Sequence, residues 1–324
     1  MKEADYCVII PTWNRVDDLV QVLDELAAQV TAGAFSYEVM VVDNNSTDAT
    51  RATVKSRIPD YPVPLHYLCE NRQGKSYAQN AGLLAARARV IVWTDDDVRL
   101  KNDWLSIIHK TFVDFNADGV GGPVEGWFVG KRPEWLGDAL LRQVGTLNHG
   151  GRARVVTLEK EGFIGPNSAY RRELYEKLGG YDTYRLGNSE DIDFFHRALR
   201  AGYRLVYQPD LKVANKIDFS RWSYKTFKKR FWTQGRAIAY GVQEKQGSER
   251  RLFRAPLWMY RYLIELHFKA LKSWISGRRQ EAVWHWLERY FYLGAVYFCF
   301  QDFLRGKPAS HERVLIPPVK KGAV

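Results

Sequence analysis

Residues 90–98 read Val-Ile-Val-Trp-Thr-Asp-Asp-Asp-Val, and the break inside them decides the fold. An apolar run this short, ending abruptly in charge, reads as a buried parallel strand whose C-terminal end opens on a crevice. Three adjacent carboxylates cannot all be buried unpaired, because at low effective dielectric they repel one another strongly. Two readings relieve them. A divalent cation, Mg²⁺ or Mn²⁺, suits hard carboxylate oxygens and bridges to phosphates. Alternatively, Asp95, Asp96 and Asp97 form a solvated turn that caps the following helix. The ends of α/β strands are where such sheets bind ligands, which favours the cation.

Outward from this stretch the pattern alternates. Tyr6–Ile10 reads as a strand closed by Pro11, and Val16–Gln29 carries apolar residues at helical spacing (Val16, Leu19, Val20, Leu23, Leu26, Ala27). Glu38–Val42 and Leu65–Leu68 read as further strands, Ala49–Arg57 and Ser76–Arg87 as helices. Such alternation predicts a mostly parallel sheet with right-handed crossovers. The polar loops 12–15, 43–48 and 95–97 then share one rim. There is no GxGxxG after the first strand and no GxxxxGK[ST], which disfavours dinucleotide and P-loop sites. Asp43, ending a strand, reads either as a base- or ribose-binding carboxylate or as a helix N-cap or Asx-turn residue.

The chain has 324 residues, enough for one large domain or two small ones, and its 46% hydrophobic and 26% charged content is that of a globular protein. Three cysteines without a CxxC predict a reducing, cytoplasmic setting with neither a disulfide framework nor a zinc site. The opening Met-Lys-Glu-Ala-Asp carries no signal-peptide apolar region. Charge is uneven: residues 216–279 hold 16 Lys/Arg against 4 Asp/Glu, interleaved with Trp222, Tyr224, Phe227, Phe231, Trp232, Trp258, Tyr260 and Tyr262. Basic plus aromatic suits an anionic membrane surface or a nucleic acid. No nucleic-acid motif is present and the acidic rim would repel phosphate chains, so no nucleic-acid partner is expected.

Five motifs stand in order: Val-Ile-Ile-Pro-Thr-Trp-Asn-Arg (8–15), Val-Val-Asp-Asn-Asn-Ser-Thr-Asp (41–48), Gly74-Lys75 with Asn80-Ala81-Gly82, Thr-Asp-Asp-Asp (94–97) and Glu190-Asp191-Ile192-Asp193. Together they resemble a family 2 glycosyltransferase of the GT-A fold over about residues 5–240. The resemblance implies an α/β fold, a Rossmann-like nucleotide-binding mixed sheet flanked by helices, as a catalytic domain over 1–215. Its nucleotide-sugar half is about 1–100 and its acceptor half about 101–215. Residues 216–324 form a basic, aromatic, helical and amphipathic extension. The implied reaction is an inverting transfer from a nucleotide-diphosphate sugar, a UDP-sugar by expectation, to a glycan or polyprenyl-linked acceptor.

By match of motif, the donor would meet Pro11, Thr12, Asn14, Arg15, Asp43, Asn45, Arg72, Gly74, Lys75, Asn80, Asp95 and Asp96. Asp97 and Asn215 would hold Mg²⁺ or Mn²⁺. Asp191 would be the catalytic base with Glu190 beside it, and Ser189 would cap their helix. Asn167, in Gly-Phe-Ile-Gly-Pro-Asn-Ser-Ala-Tyr-Arg-Arg (162–172), and Trp127 are the acceptor-facing candidates, a turn role for Asn167 being open. Two departures stand out: relatives read Ala-Arg-Asn where this chain has Ala78-Gln79-Asn80, and Asn215 stands where many carry a histidine. The rival readings are an inactive nucleotide-sugar-binding protein and a basic nucleic-acid-binding protein. Residues 219–236 read as a helix ending near Gly235, followed by aromatic segments 255–276 and 281–304. The longest uncharged apolar run, Tyr290–Phe300, is 11 residues, against the ~20 a span needs. The expected arrangement is a helix pair lying on the cytoplasmic face of the inner membrane, the alternative being helices packed on the catalytic domain.

Overall fold

All seven residues of β1 (Tyr6–Thr12) are buried, and its alternate side chains enter two different cores. Val8 and Ile10 face one, Cys7 and Ile9 the other. A strand buried on both faces needs helices on both, and the chain supplies them. The computed structural model describes residues 4–183, 190–244, 249–306 and 314–318. In chain order the first elements are α1 (Val16–Ala27), β2 (Tyr37–Asp43), α2 (Thr50–Arg57), β3 (Leu65–Cys69), α3 (Lys75–Ala85), β4 (Val90–Trp93), β5 (Val98–Arg99) and α4 (Trp104–Asp114). There follow β6 (Gly119–Gly121), β7 (Val124–Val129), α5 (Asp138–Leu141), β8 (Arg154–Val155), β9 (Ser168–Arg171), α6 (Arg172–Leu178), α7 (Glu190–Arg200), β10 (Leu205–Tyr207) and β11 (Val213–Asp218). The last are α8 (Tyr224–Glu244), the two-strand ladder β12 (Arg251–Leu252) and β13 (Ala255–Pro256), α9 (Leu257–Ile275) and α10 (Arg279–Leu304).

The main sheet runs β3-β2-β1-β4-β9-β6-β10-β8. Its first four strands are parallel, β9 lies antiparallel to both β4 and β6, and β8 is antiparallel to β10. The sheet is therefore mixed, with helices on both faces. Leu19, Val22, Leu23 and Leu26 of α1, with Leu105, Ile108 and Phe112 of α4, fill one side. Ala78 and Leu83 of α3, Leu174 and Tyr175 of α6, and Phe194, Phe195 and Ala198 of α7 fill the other.

Pro11 does not close β1, as the sequence suggested. The strand continues through Thr12, with Pro11 opposite Val42 and Thr12 opposite Asp43. Pairing with β4 stops at Ile9 and Trp93, and the Thr12 carbonyl accepts from Asn44 N–H on the β2 side. The missing N–H of Pro11 thus faces the side where no ladder remains to be interrupted.

The chain divides into two compact units. Of the described residues, one unit comprises those within 4–127, 145–216 and 314–318, and the other those within 128–144 and 217–306. The expected border at 215/216 falls beside the observed one, but residues 128–144 and 314–318 lie on the other side of it from where their positions in the sequence put them. In the first unit, Ile316 is buried in the core that holds α6 and α7, and the Val314 carbonyl accepts from Gly180 N–H at 2.9 Å.

In the second unit, Gly235 does not end its helix, because α8 runs on to Glu244. The glycine instead permits contact between helix backbones. A Cβ on Gly235 would stand 2.3 Å from the Phe291 carbonyl oxygen, and one on Gly294 would stand 2.3 Å from that of Trp232. Replacing Gly294 with leucine is expected to push α8 from α10 and lower the unit's unfolding free energy by about 3 kcal/mol or more, read as a fall in thermal midpoint. An unchanged midpoint would mean that the crossing tolerates a side chain.

Candidate active site

Two asparagines sew the rim loops together. Asn14, at φ 52, accepts from Thr47 N–H (2.7 Å) and Asp48 N–H (3.3 Å) through Oδ1, joining the loop after β1 to that after β2. Asn44 donates through Nδ2 to the carbonyls of Glu70 (3.0 Å) and Arg72 (2.7 Å), and its Oδ1 accepts from Gly74 N–H (2.8 Å). Gly74 sits at φ 139, a conformation that side-chain-bearing residues rarely adopt. This turn delivers Lys75 to the first turn of α3. Asn45 is also left-handed, at φ 62. Asp43 is almost wholly buried, its Oδ1 accepting from Ser46 N–H (2.8 Å) and its Oδ2 from the Tyr67 hydroxyl (2.7 Å). Asp43 thus serves its own loop, through the N–H three residues on, although each oxygen retains a lone pair.

The three acids after β4 are divided between two cations. Thr12 Oγ1 donates to Asp96 Oδ2 at 2.7 Å, and the Arg15 guanidinium donates to both Asp96 (2.9 Å) and Asp97. Lys75 Nζ donates to Asp95 Oδ1 at 2.7 Å. Burial, opposed by Arg15, raises the Asp96 pKa. Burial likewise pushes that of Asp97 up to about 7: Arg15 pulls against it, while the neighbouring carboxylates of Asp96 and Asp95 add to the rise. One guanidinium therefore does not fully compensate this cluster. Burial works against the Lys75 ammonium, but Asp95, Glu190 and Asp191 prevail and raise its pKa.

Lys75 thereby links the rim to the far half of the sheet. A Cβ on Gly165 would lie 3.4 Å from Lys75 Nζ and 3.5 Å from Asp191 Oδ2, so ammonium and carboxylate both flank that glycine. Gly165 N–H donates to Asp191 Oδ2 (2.7 Å) and Ile192 N–H to Asp191 Oδ1 (2.8 Å), which fixes the carboxylate plane. Glu190, buried, precedes it in the first turn of α7. Ser189, expected to cap that helix, lies outside the described residues. Asp193 faces elsewhere and pairs with Arg197 at 2.9 Å.

Pro11, Thr12, Asn14, Arg15, Asp43, Asn45, Gly74, Lys75, Asp95, Asp96 and Asp97 accordingly occupy the ends of β1, β2 and β4 and the loop before α3. Other expected residues do not join them. Asn80 is buried, with its amide on the backbone of Tyr181: Nδ2 donates to the carbonyl and Oδ1 accepts from the N–H, both at 2.8 Å. Asn167 is also buried, with both ends of its amide engaged. It donates to the carbonyls of Pro123 (2.9 Å) and Leu211 (2.6 Å) and accepts from Trp104 Nε1 (2.9 Å). Asn80 keeps one N–H and one lone pair and Asn167 one lone pair, but both amides are buried and engaged with groups of the protein itself. Arg72 turns outward, pairing with Glu70 at 2.8 Å and lying over Tyr77. Asn215 is opposite Val98 in the register of β11 with β5, and Lys216 N–H donates to the Asp97 carbonyl, so Asn215 is close to Asp97 along the backbone. Its Nδ2 donates to the Gly145 carbonyl (3.3 Å). Trp127 is exposed under the Arg99 guanidinium. Sequence reasoning passed over Trp13, which is 54% exposed between Thr12 and Asn14, and Gly165 and Asn44. An aromatic residue inside a polar rim loop was the available signal for Trp13.

The Glycosyl transferase family 2 model matches residues 7–179. The chain is 26% identical over 245 residues to the succinoglycan biosynthesis protein ExoM of Rhizobium meliloti, covering 75% of this chain and 77% of that one. It is 26% identical over 225 residues to the glucosyl-dolichyl phosphate glucuronosyltransferase of Haloferax volcanii, covering 65% and 68%. Among solved structures, the mannosyltransferase PcManGT from Pyrobaculum calidifontis, in complex with GDP-Man and Mn²⁺, superposes with a TM-score of 0.62 at 22% identity, covering 93% of this chain and 88% of that one. TarS 1–349 of S. aureus, in complex with UDP-GlcNAc, gives 0.55 at 17% identity, covering 94% and 92%. These two share the fold.

Proposed function

The chain belongs to glycosyl transferase family 2 and is a sugar-transferring enzyme of GT-A fold, and from that premise we propose an inverting transfer from a nucleotide-diphosphate sugar, a UDP-sugar in the first instance, to a hydroxyl of a glycan or polyprenyl-linked acceptor. The observation that carries the proposal is Lys75, whose Nζ donates to Asp95 on the donor rim and lies, with the carboxylate of Asp191, against Gly165. Relatives named for succinoglycan biosynthesis and for a dolichyl phosphate sugar support the acceptor class.

In this reading Asp191, held by two backbone N–H groups, takes the proton of the attacking hydroxyl. The diphosphate lies over the rim, where Lys75 and Arg15 offset its charge. The donor's base rests against Trp13, beside Asp43. The rim, by the chemistry of its side chains, would suit a divalent cation. Its hard carboxylate oxygens include Asp97, whose raised pKa marks an uncompensated cluster, while no group of three His, Cys, Asp or Glu among the described residues encloses an ion. Asp97 would hold it, with Asn215 adjacent, and Arg15 would move from Asp97 to the phosphates. When bound, the ion supplies Lewis-acid stabilisation of the leaving diphosphate. A lipid-linked acceptor would put the reaction at the cytoplasmic face of a membrane.

The test is thermal unfolding with UDP-, GDP- and dTDP-sugars, with and without Mn²⁺. Protection by one nucleotide class, strengthened by the ion, supports the proposal; no protection and no nucleotide release under any condition overturns it. Trp13→Ala is expected to weaken donor binding by ~1–3 kcal/mol, the range for losing one aromatic–base stack, with the thermal midpoint of the free protein unchanged. Calorimetric titration checks this, and an unaltered dissociation constant removes Trp13 from the base site.

A further inference from the structure

The solvent side of α9 is apolar, the reverse of what a surface helix normally shows. Its buried seam consists of Met259, Leu266, Ala270 and Ser273. On the diametrically opposite side, at successive spacings of seven, four, three and four, lie Leu257, Ile264, Phe268, Leu271 and Ile275. All five are exposed, Ile264 at 60%, Phe268 at 62% and Ile275 at 75%. Trp274 is exposed as well, with the Arg279 guanidinium over its ring. Arg261, Lys269 and Lys272 are exposed along one margin of the stripe, Arg278 and Arg279 just beyond its end. The one acid of the helix, Glu265, is taken by Lys269 at 2.7 Å.

We propose that this face of α9 seats the protein on a bilayer carrying anionic headgroups, with the helix axis in the membrane plane. The apolar stripe enters the headgroup–acyl boundary, and the flanking cations reach the phosphates on flexible stems. No helix among the described residues is long and apolar enough to cross a membrane, so the helix lies on the surface. Charge selects the occupant. A second copy docking antiparallel on the same face would bring the margin of Arg261 and Lys272 against its own counterpart, whereas anionic lipid neutralises it. The sequence-derived expectation of a surface-lying helix pair thus narrows to one face of one helix. The inference stands independently of which sugar is transferred.

The test is co-sedimentation of the full chain with vesicles of phosphatidylcholine alone or mixed with phosphatidylglycerol, at low and high salt. The wild-type chain is expected to bind the mixed vesicles, less so at high salt. Ile264→Ser/Phe268→Ser/Ile275→Ser is expected to lower the partition coefficient about tenfold or more, since burying these side chains drives the insertion. Arg261→Gln/Lys272→Gln is expected to erase most of the preference for the anionic vesicles. Unchanged thermal midpoints show that both variants fold, since none of these side chains is buried. Equal partition of the serine variant overturns the proposal. So does a wild-type chain that ignores vesicles, including one that forms a dimer which the serine substitutions dissociate.

Discussion

Asp191→Asn is expected to lower kcat by roughly 10²–10⁴-fold while leaving donor affinity little changed, the range for loss of a general base. The amide preserves the shape of the carboxylate and can still accept one of the two N–H bonds from Gly165 and Ile192. It cannot accept the acceptor's proton. The measurement is steady-state turnover beside calorimetric donor binding. A variant with wild-type kcat would move the base elsewhere. A variant that has lost donor binding instead would show that the carboxylate serves the donor through Lys75, which lies against the same glycine.

Asn167→Leu is expected to cost on the order of 5 kcal/mol of stability, because each buried polar group left unpaired costs about 1–3 kcal/mol and three are stranded. These are the carbonyls of Pro123 and Leu211 and the indole N–H of Trp104. Against a total stability of ~5–15 kcal/mol such a loss is severe. Urea unfolding gives the midpoint, and an acceptor titration gives KM. A residue that binds acceptor would raise KM in a stable protein; Asn167 is expected to do the opposite, lowering the midpoint first.

Asn167 and Asn80 also mark the limit of what the sequence discloses. Both sit in recognisable motifs, and their chemistry suits a ligand as well as a carbonyl. What decides is the partner, and the partners are remote: Tyr181 lies 101 residues from Asn80, and Pro123 and Leu211 each lie 44 from Asn167. The strands β1, β2 and β4 were legible because a strand buried on both faces is a short apolar run that stops at polar residues. Asp95–Asp97 were legible as a cluster for the same reason. Their division between Arg15 and Lys75 was not, since Arg15 comes from the first loop and Lys75 from the third. Gly235 misled for a physical reason: a glycine in a helical pattern signals either an end or a close approach, and only the facing Gly294 distinguishes the two. The two-residue strands β5 and β8 are too short to carry any period at all.

The segment Val314–Pro318 belongs to the first unit although nearly the whole second unit separates it from β11. Ribosomes release polypeptide from the N-terminus, and early-emerging domains generally fold as they appear. Here the pocket that receives Ile316, under the turn at Gly180, stays open until translation has passed residue 318. The parallel half of the sheet can assemble early. Its last seal arrives only after the whole second unit has been synthesised, and a premature stop just downstream of α10 would leave an apolar slot facing water.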